Sequence, residues 1–308
     1  MAYVTQDGLL GSVDLYLPDN AGGGPYSLVG TSSGKYGRAS YPSMLVDGVD
    51  PVFGGGQFLF AQVAPITAQT VSSVTVAAGV ATVTTGSAHG LVVGQPVQLA
   101  GFTPSAYNGI WQIATVPSGT TFTLNLNYVW DQRWNPNNPL IANTLKANPA
   151  VPTTSSTVQG TYVPGIGAGM VCQFVHATDT FGNLILQAKP WAGTANSGLA
   201  LGVSLGNPLA LTTSSAPANP FSGQYGWFQV SGAMAVTASG APAIGSQAYW
   251  ATTGVVSQTV VASKQACGLQ FASALAAVFG SGSSGTITLP ANFAIAWGTF
   301  PNAQAAIT

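Results

Sequence analysis

The stretch Gly223–Phe271 reads GQYGWFQVSGAMAVTASGAPAIGSQAYWATTGVVSQTVVASKQACGLQF, and its punctuation decides the fold. The apolar runs Trp227–Val230, Met234–Val236, Ala248–Trp250, Val255–Val256, Val260–Val261 and Gly268–Phe271 are separated by Ser, Gly, Thr and Pro. Runs of about four residues are too short for helices. Turn signals that recur every ~8–12 residues predict an all-β fold, an antiparallel β-barrel or sandwich. We take residues 161–275 as this body, with an inserted small β-module and extended N- and C-terminal arms attached to it.

Composition narrows the classes of function. Charged residues make up 4% of the 308-residue chain, against about 25% in ordinary globular domains. There are six Lys plus Arg, seven Asp and no Glu, for a net charge of −1. Neutralising phosphates takes clusters of Lys and Arg, and only Lys35 and Arg38 lie close together, so no nucleic-acid partner is expected. No run reaches the ~18–20 apolar residues of a membrane span, so no membrane partner is expected either. The start, MAYVTQDGLL, lacks the basic and apolar regions of a signal peptide. The surface this composition predicts is either uncharged polar or covered by other protein.

Residues 1–65 are glycine-rich, with GGGP at 22–25, SSGKYGR at 32–38 and FGGGQF at 53–58. Gly runs cost backbone entropy on ordering and build no core. Tyr16, Tyr26, Tyr36, Tyr41, Phe53, Phe58 and Phe60 are too many aromatics for a disordered tail. The segment therefore reads as an N-terminal arm with short strands that lies on a neighbouring subunit and partly completes the body's sheet.

Residues 66–130 read as a compact β-module. Val71–Thr85 alternates as a hairpin around Ala78–Gly79, and Asn108–Gly109 and Ser118–Gly119 mark further turns. Residues 131–160 are dominated by Pro, Asn and Thr and read as a linker or surface loop. In the body, Gly169–His176 and Leu184–Ala188 are strands joined by a turn, and Gly202 inside GLALGVSLG predicts a bulge or close backbone approach. Residues 276–308 contain the flexible GSGSSG (280–285) and read as a C-terminal arm. Its strand-like segments are expected to pair with an adjacent subunit.

Two patterns carry a resemblance. HGLVVGQPVQLAGF (89–102), then Asn108–Gly109, then FTL (122–124), resembles a small β-module of phage tail and baseplate proteins, which implies a structural add-on. The succession GLALGVSL, GQYGWFQVSGAMAV, AIGSQAYW, TGVVSQ and ACGLQFASA resembles the β-barrel body of tailed-bacteriophage head decoration (cement) proteins and head-fibre base domains. The inserted module and the long N-terminal arm depart from that pattern.

Chemistry offers little by comparison. His89 is expected to close the HGL turn through a hydrogen bond. Cys172 and His176 lie about 13 Å apart along a strand, too far to share a metal. Asp47 and Asp50 read as turn residues rather than the facing carboxylates a glycosidase needs. GTSSGK (30–35) has one residue too few for a phosphate loop, and Tyr36 follows it. No catalytic residue, cofactor or metal is therefore assigned. Cys172 and Cys267 are read as buried thiols, with a bridge between them left open.

Seven Trp remain, at 111, 130, 134, 191, 227, 250 and 297, which pack cores and interfaces or stack on sugars. Candidate partner or glycan contacts are Trp130, Trp134, Tyr36, Phe53, Phe58 and Trp297. With the resemblance, the expectation is a structural virion protein, not an enzyme. It would bind the outer capsid surface as a homo-oligomer, a trimer by preference, and cement neighbouring major capsid proteins. The alternative is a tail or head fibre component attaching to host surface glycans.

Overall fold

A computed structural model of the chain describes residues 45–50, 54–103, 105–130, 145–147, 160–178, 184–194, 198–205, 225–279 and 287–306. Apart from one 3-10 turn at Ser105–Tyr107, all regular structure among them is β. The chain is all-β, with a closed six-stranded barrel and a ten-stranded mixed sheet. Among the described residues no helix is long and apolar enough to cross a membrane.

Strands β1 (Leu45–Asp50) and β2 (Gly54–Val63) form an antiparallel pair. The small barrel follows, with β3 (Gln69–Ala77), β4 (Val80–Thr85), β5 (Pro96–Ala100), β6 (Gly109–Ser118) and β7 (Thr121–Asn125). The predicted hairpin is present: Ala78 and Gly79 take φ of 49° and 77°, the left-handed pair of a tight hairpin turn. Inward side chains Val74, Val83, Val97, Leu99, Trp111, Ile113, Phe122 and Leu124 fill the interior. Asn108 staples the mouth, accepting from the Phe102 amide at 2.8 Å and donating to its carbonyl at 3.1 Å. His89 closes its turn as predicted, its Nδ1 accepting from the Leu91 N–H at 3.0 Å.

The barrel does not end at residue 130. A two-stranded ribbon, β8 (Tyr128–Trp130) with β9 (Leu145–Ala147), comes next. Strand β10 (Gly160–Pro164) then returns to pair with both β3 and β5 and closes the barrel. The boundary drawn at 160/161 is thereby corrected. A five-stranded module would leave two open edges, and β10 supplies the missing partner. Tyr162 points into the barrel against Phe122, with ring centroids 5.8 Å apart, while Val163 belongs to the core of the body.

The body uses β11 (Val171–Thr178), β12 (Leu184–Pro190), β13 (Leu201–Ser204), β14 (Tyr225–Thr237), β15 (Gln247–Thr252), β16 (Val255–Ser257) and β17 (Ala266–Phe271). A small hairpin, β18 (Val278–Phe279) with β19 (Ile287–Thr288), precedes β20 (Phe293–Thr299). The sheet order is β1-β2-β12-β11-β13-β14-β20-β17-β15-β16, with β2 also paired to β14. The pairings β2–β12, β12–β11, β11–β13, β13–β14 and β14–β2 therefore run in a ring. All but β2–β12 are antiparallel.

Ala61, Val63, Cys172, Phe174, Ala188, Phe228 and Val230 fill that ring, and Phe174 meets Phe228 edge-on at 5.5 Å. Gly202 belongs to the same interior: a Cβ there would lie 2.8 Å from the Phe174 ring, so the close approach is made by a side chain and not by the backbone or bulge expected there. Barrel and body meet at this core, because Val92, Ile66 and Ala68 pack against it. The buried Gln95 donates to the Gly165 carbonyl at 2.6 Å and accepts from the Val92 amide at 3.1 Å.

A second core lies between the opposite face of β11–β13 and the sheet β14-β20-β17-β15-β16. It contains Val171, Trp191, Leu201, Val203, Met234, Val236, Cys267, Leu269, Phe271, Ala294 and Ala296.

Three expectations change here, and one is met. Trp227–Val230 and Met234–Val236 are one strand, β14, carried through a bulge between Gln229 and Ser231. Val260 and Val261 lie outside any strand, and Val260 is exposed. Residues 54–63 are the part of the N-terminal segment that completes the body's sheet, as expected: they form β2, a member of the ring. Residues 293–299 are not a free C-terminal arm: β20 sits between β14 and β17 of its own chain. In both segments partner strands within the chain satisfy the backbone groups; for β20 these are the groups that an adjacent subunit was expected to meet. The remainder of the N-terminal arm, residues 1–44, lies outside the described residues.

Candidate binding face

Strand β20 presents two different faces. Ala294 and Ala296 point into the second core and are 0% exposed. Phe293, Ile295 and Trp297 point outward, because side chains alternate along a strand. The segment after β17 folds back over the first part of that outer face, where Leu289, Phe293 and Ile295 pack with Ala233, Ala235, Ala277 and Phe279. The cover stops short of Trp297, which is 55% exposed.

Register defines its surroundings. Trp297 pairs with Ala233 on β14 and with Gln270 on β17. Gln270 pairs with Gln247 on β15. Paired residues in an antiparallel ladder share a face, so Ala233, Trp297, Gln270 and Gln247 form one outward row across four strands. Gln247 is fixed by its Nε2, which donates to the Leu269 carbonyl at 3.1 Å. Gln270 is exposed. A parallel row runs alongside. Thr299 pairs with Ser231, Ser231 with Gln57, and Gln57 with Asp47. Gln57 donates to the Asp47 carboxylate at 3.0 Å.

The electrostatics are simple. None of β14, β15, β17 and β20 carries a charged residue. Asp47 is the first charge reached along the second row, three strands from Thr299, or about 14 Å at the usual ~4.8 Å strand spacing. The face therefore offers one large indole, primary amides that both donate and accept, and hydroxyls.

The other nominated residues fare differently. Phe58 is 0% exposed; it lies on β2 in the interior and offers no surface to a partner. Trp130 ends β8, its backbone paired with Leu145, and its side chain lies outside the described residues. Trp134, Tyr36 and Phe53 also lie outside them. Trp297 alone of the six is placed on the described surface. Gln270, Gln247, Gln57, Ser231 and Thr299 were not singled out from sequence, because only the pairing of β20 between β14 and β17 brings them together.

Trp250 makes a useful contrast with Trp297. Its Nε1 donates to the Trp191 carbonyl at 3.2 Å, and Lys264 Nζ sits 4.4 Å above its ring. That indole is already satisfied within the chain.

Neither cysteine is placed for chemistry. Both are free and buried, Cys172 in the ring core and Cys267 in the second core. Burial pushes the Cys172 thiol well above its ordinary range and Cys267 up to about 12, so neither forms a thiolate readily. Among the described residues no group of three or more His, Cys, Asp or Glu is placed to hold a metal ion. Comparison with protein-family models, with curated proteins and with solved structures found no match.

Proposed function

We propose that the chain is a structural subunit of a tailed-phage particle that sits on the outside of the capsid and cements neighbouring major capsid proteins. The observation that carries this reading is an all-β body on a chain with only 4% charged residues. Free proteins keep apart through interspersed surface charge. A surface without it suits permanent association, where apolar and hydrogen-bonding groups are buried with little ion desolvation. The resemblance of residues 161–275 to head decoration proteins supplies the particle. In this reading the chain acts by linkage: whatever binds only the assembled shell stabilises it. The oligomer we favour is a trimer, and the reading assigns the chain no catalysis.

A second reading, a fibre component that attaches to host glycans, is favoured by the exposed Trp297 beside Gln270. Copy number on purified particles, by quantitative mass spectrometry against the major shell protein, separates the two. A ratio near one to one, together with a fall in shell rupture temperature when the chain is stripped away, supports cementing. A few dozen copies per particle moves the assignment to a fibre, and absence from particles overturns both.

A further inference from the structure

We infer that the row Ala233–Trp297–Gln270–Gln247 is a binding site for neutral glycans. The inference goes beyond the cementing role and deepens the fibre reading on which its biological use rests. Its test uses purified protein and so is independent of copy number.

Three kinds of occupant can be compared on this face. A charged ligand has no counter-charge on any of the four strands. A second copy of the chain would need about 800 Å² of complementary surface per partner, with an apolar centre. Here a single indole stands among amides, a hydroxyl pair and one alanine, and the apolar residues next along β20 are already covered by the chain's own segment. A neutral sugar uses what is present. Its C–H face lies against an aromatic plane, and its hydroxyls donate to and accept from primary amides.

Pre-organisation supports the same choice. The row stands on paired strands rather than on a loop, and the Gln247 amide is held by the Leu269 carbonyl. Little side-chain freedom is lost when a weakly interacting ligand docks on such a surface. The span from Trp297 to Gln247 crosses two strand spacings, about 10 Å, which suits a short oligosaccharide. The covering segment next to Ile295 limits the site on one side, and Thr299 and Ser231 extend it on the other.

The test is affinity electrophoresis of the full chain in gels containing dextran, mannan or hydroxyethyl cellulose, with alginate as the anionic counterpart. Saturation-transfer NMR with maltohexaose, mannohexaose and cellohexaose accompanies it. Retardation by at least one neutral polymer and none by alginate is expected. Trp297→Ala should weaken binding at least tenfold with an unchanged melting temperature, Trp297→Phe should restore part of it, and Gln270→Ala should weaken it about threefold. Ile244→Ser, at another exposed apolar residue, should leave binding as it is. Failure of every neutral probe overturns the inference, as does binding that survives Trp297→Ala. A Trp297-dependent change in oligomeric state without glycan binding, read by light scattering, also overturns it and gives the face to a second copy.

Discussion

The small barrel and the body are made of similar strands but are closed differently. In the barrel, β3–β4, β5–β6 and β6–β7 join strands that follow one another, β4–β7 spans about 40 residues, and only β10 arrives from outside the stretch 69–125. In the body, β2 pairs with β12 and β14, and β14 with β20, so the ring and the sheet wait on segments from both halves of the chain. Local pairs form at low loop-closure cost, whereas distant ones form late. The difference also separates what each core supports. The barrel core is self-contained, while the ring core includes Val163 and is flanked by Val92 and Ile66 from the barrel side.

The sharpest test of that difference is a pair of deletions. Phe122→Ala in the barrel and Phe228→Ala in the ring should each cost about 3–5 kcal/mol. Hydrogen exchange should separate them. Phe122→Ala is expected to loosen mainly residues 69–126. Phe228→Ala should loosen the body and also the seam around Gln95 and Gly165. Equal loosening everywhere in both variants would mean that barrel and body are one cooperative unit.

Alkali probes the two body cores together. Cys267 moves from 9.0 to about 12 on folding, and Cys172 moves in the same direction. A raised folded value means that the native state holds its proton more tightly than the unfolded chain. The stability tied to these thiols is therefore intact below pH 9 and is lost as the pH climbs towards 12. Urea melts should show this decline, and a Cys172→Ala/Cys267→Ala double variant should flatten it. In the native protein at pH 8, neither thiol should react with a maleimide until the chain is unfolded.

A smaller effect tests how tightly the ring closes. Gly202→Ala sets a methyl 2.8 Å from Phe174 and 3.2 Å from Val230, and Phe174 is itself held against Phe228. The expected cost is about 1–3 kcal/mol, measured as a shift in the urea midpoint. A neutral result would show that the ring interior gives way more easily than its packing implies.

These contrasts mirror what could be read before any coordinates. The all-β class, the hairpin at Ala78–Gly79, the His89 turn and the buried state of both cysteines follow from local signals of turn, alternation and composition. The positions of β2, β10 and β20 do not. A glycine-rich segment such as Gly54–Gly56 and a short strand such as Phe293–Thr299 look like arms until their partners are known, and those partners lie in other parts of the chain. The candidate face was legible only as far as Trp297. Its companions Gln270 and Gln247 are ordinary polar residues whose proximity to it is a fact of register, and register across distant strands leaves no mark in a single sequence.

The remaining predictions compare two indoles, Trp250, partly buried against the second core, and Trp297, exposed. Lys264→Met removes the cation over Trp250 and should cost about 0.5–1 kcal/mol, with a change in the indole's fluorescence. Trp250 is held by its own chain, so its loss of a neighbour registers as stability.

Trp297 should behave in the opposite way. Its partners across the ladder are Ala233 and Gln270, neither of which encloses the ring, and more than half of it meets solvent. Trp297→Ala should therefore change stability by no more than about 0.5 kcal/mol, as judged by thermal melts. A large exposed indole that contributes so little to the fold leaves its ring face open to a ligand. If Trp297→Ala instead destabilised the protein by as much as Gly202→Ala, the indole would belong to the fold, and its exposure would lose its meaning as a binding signal.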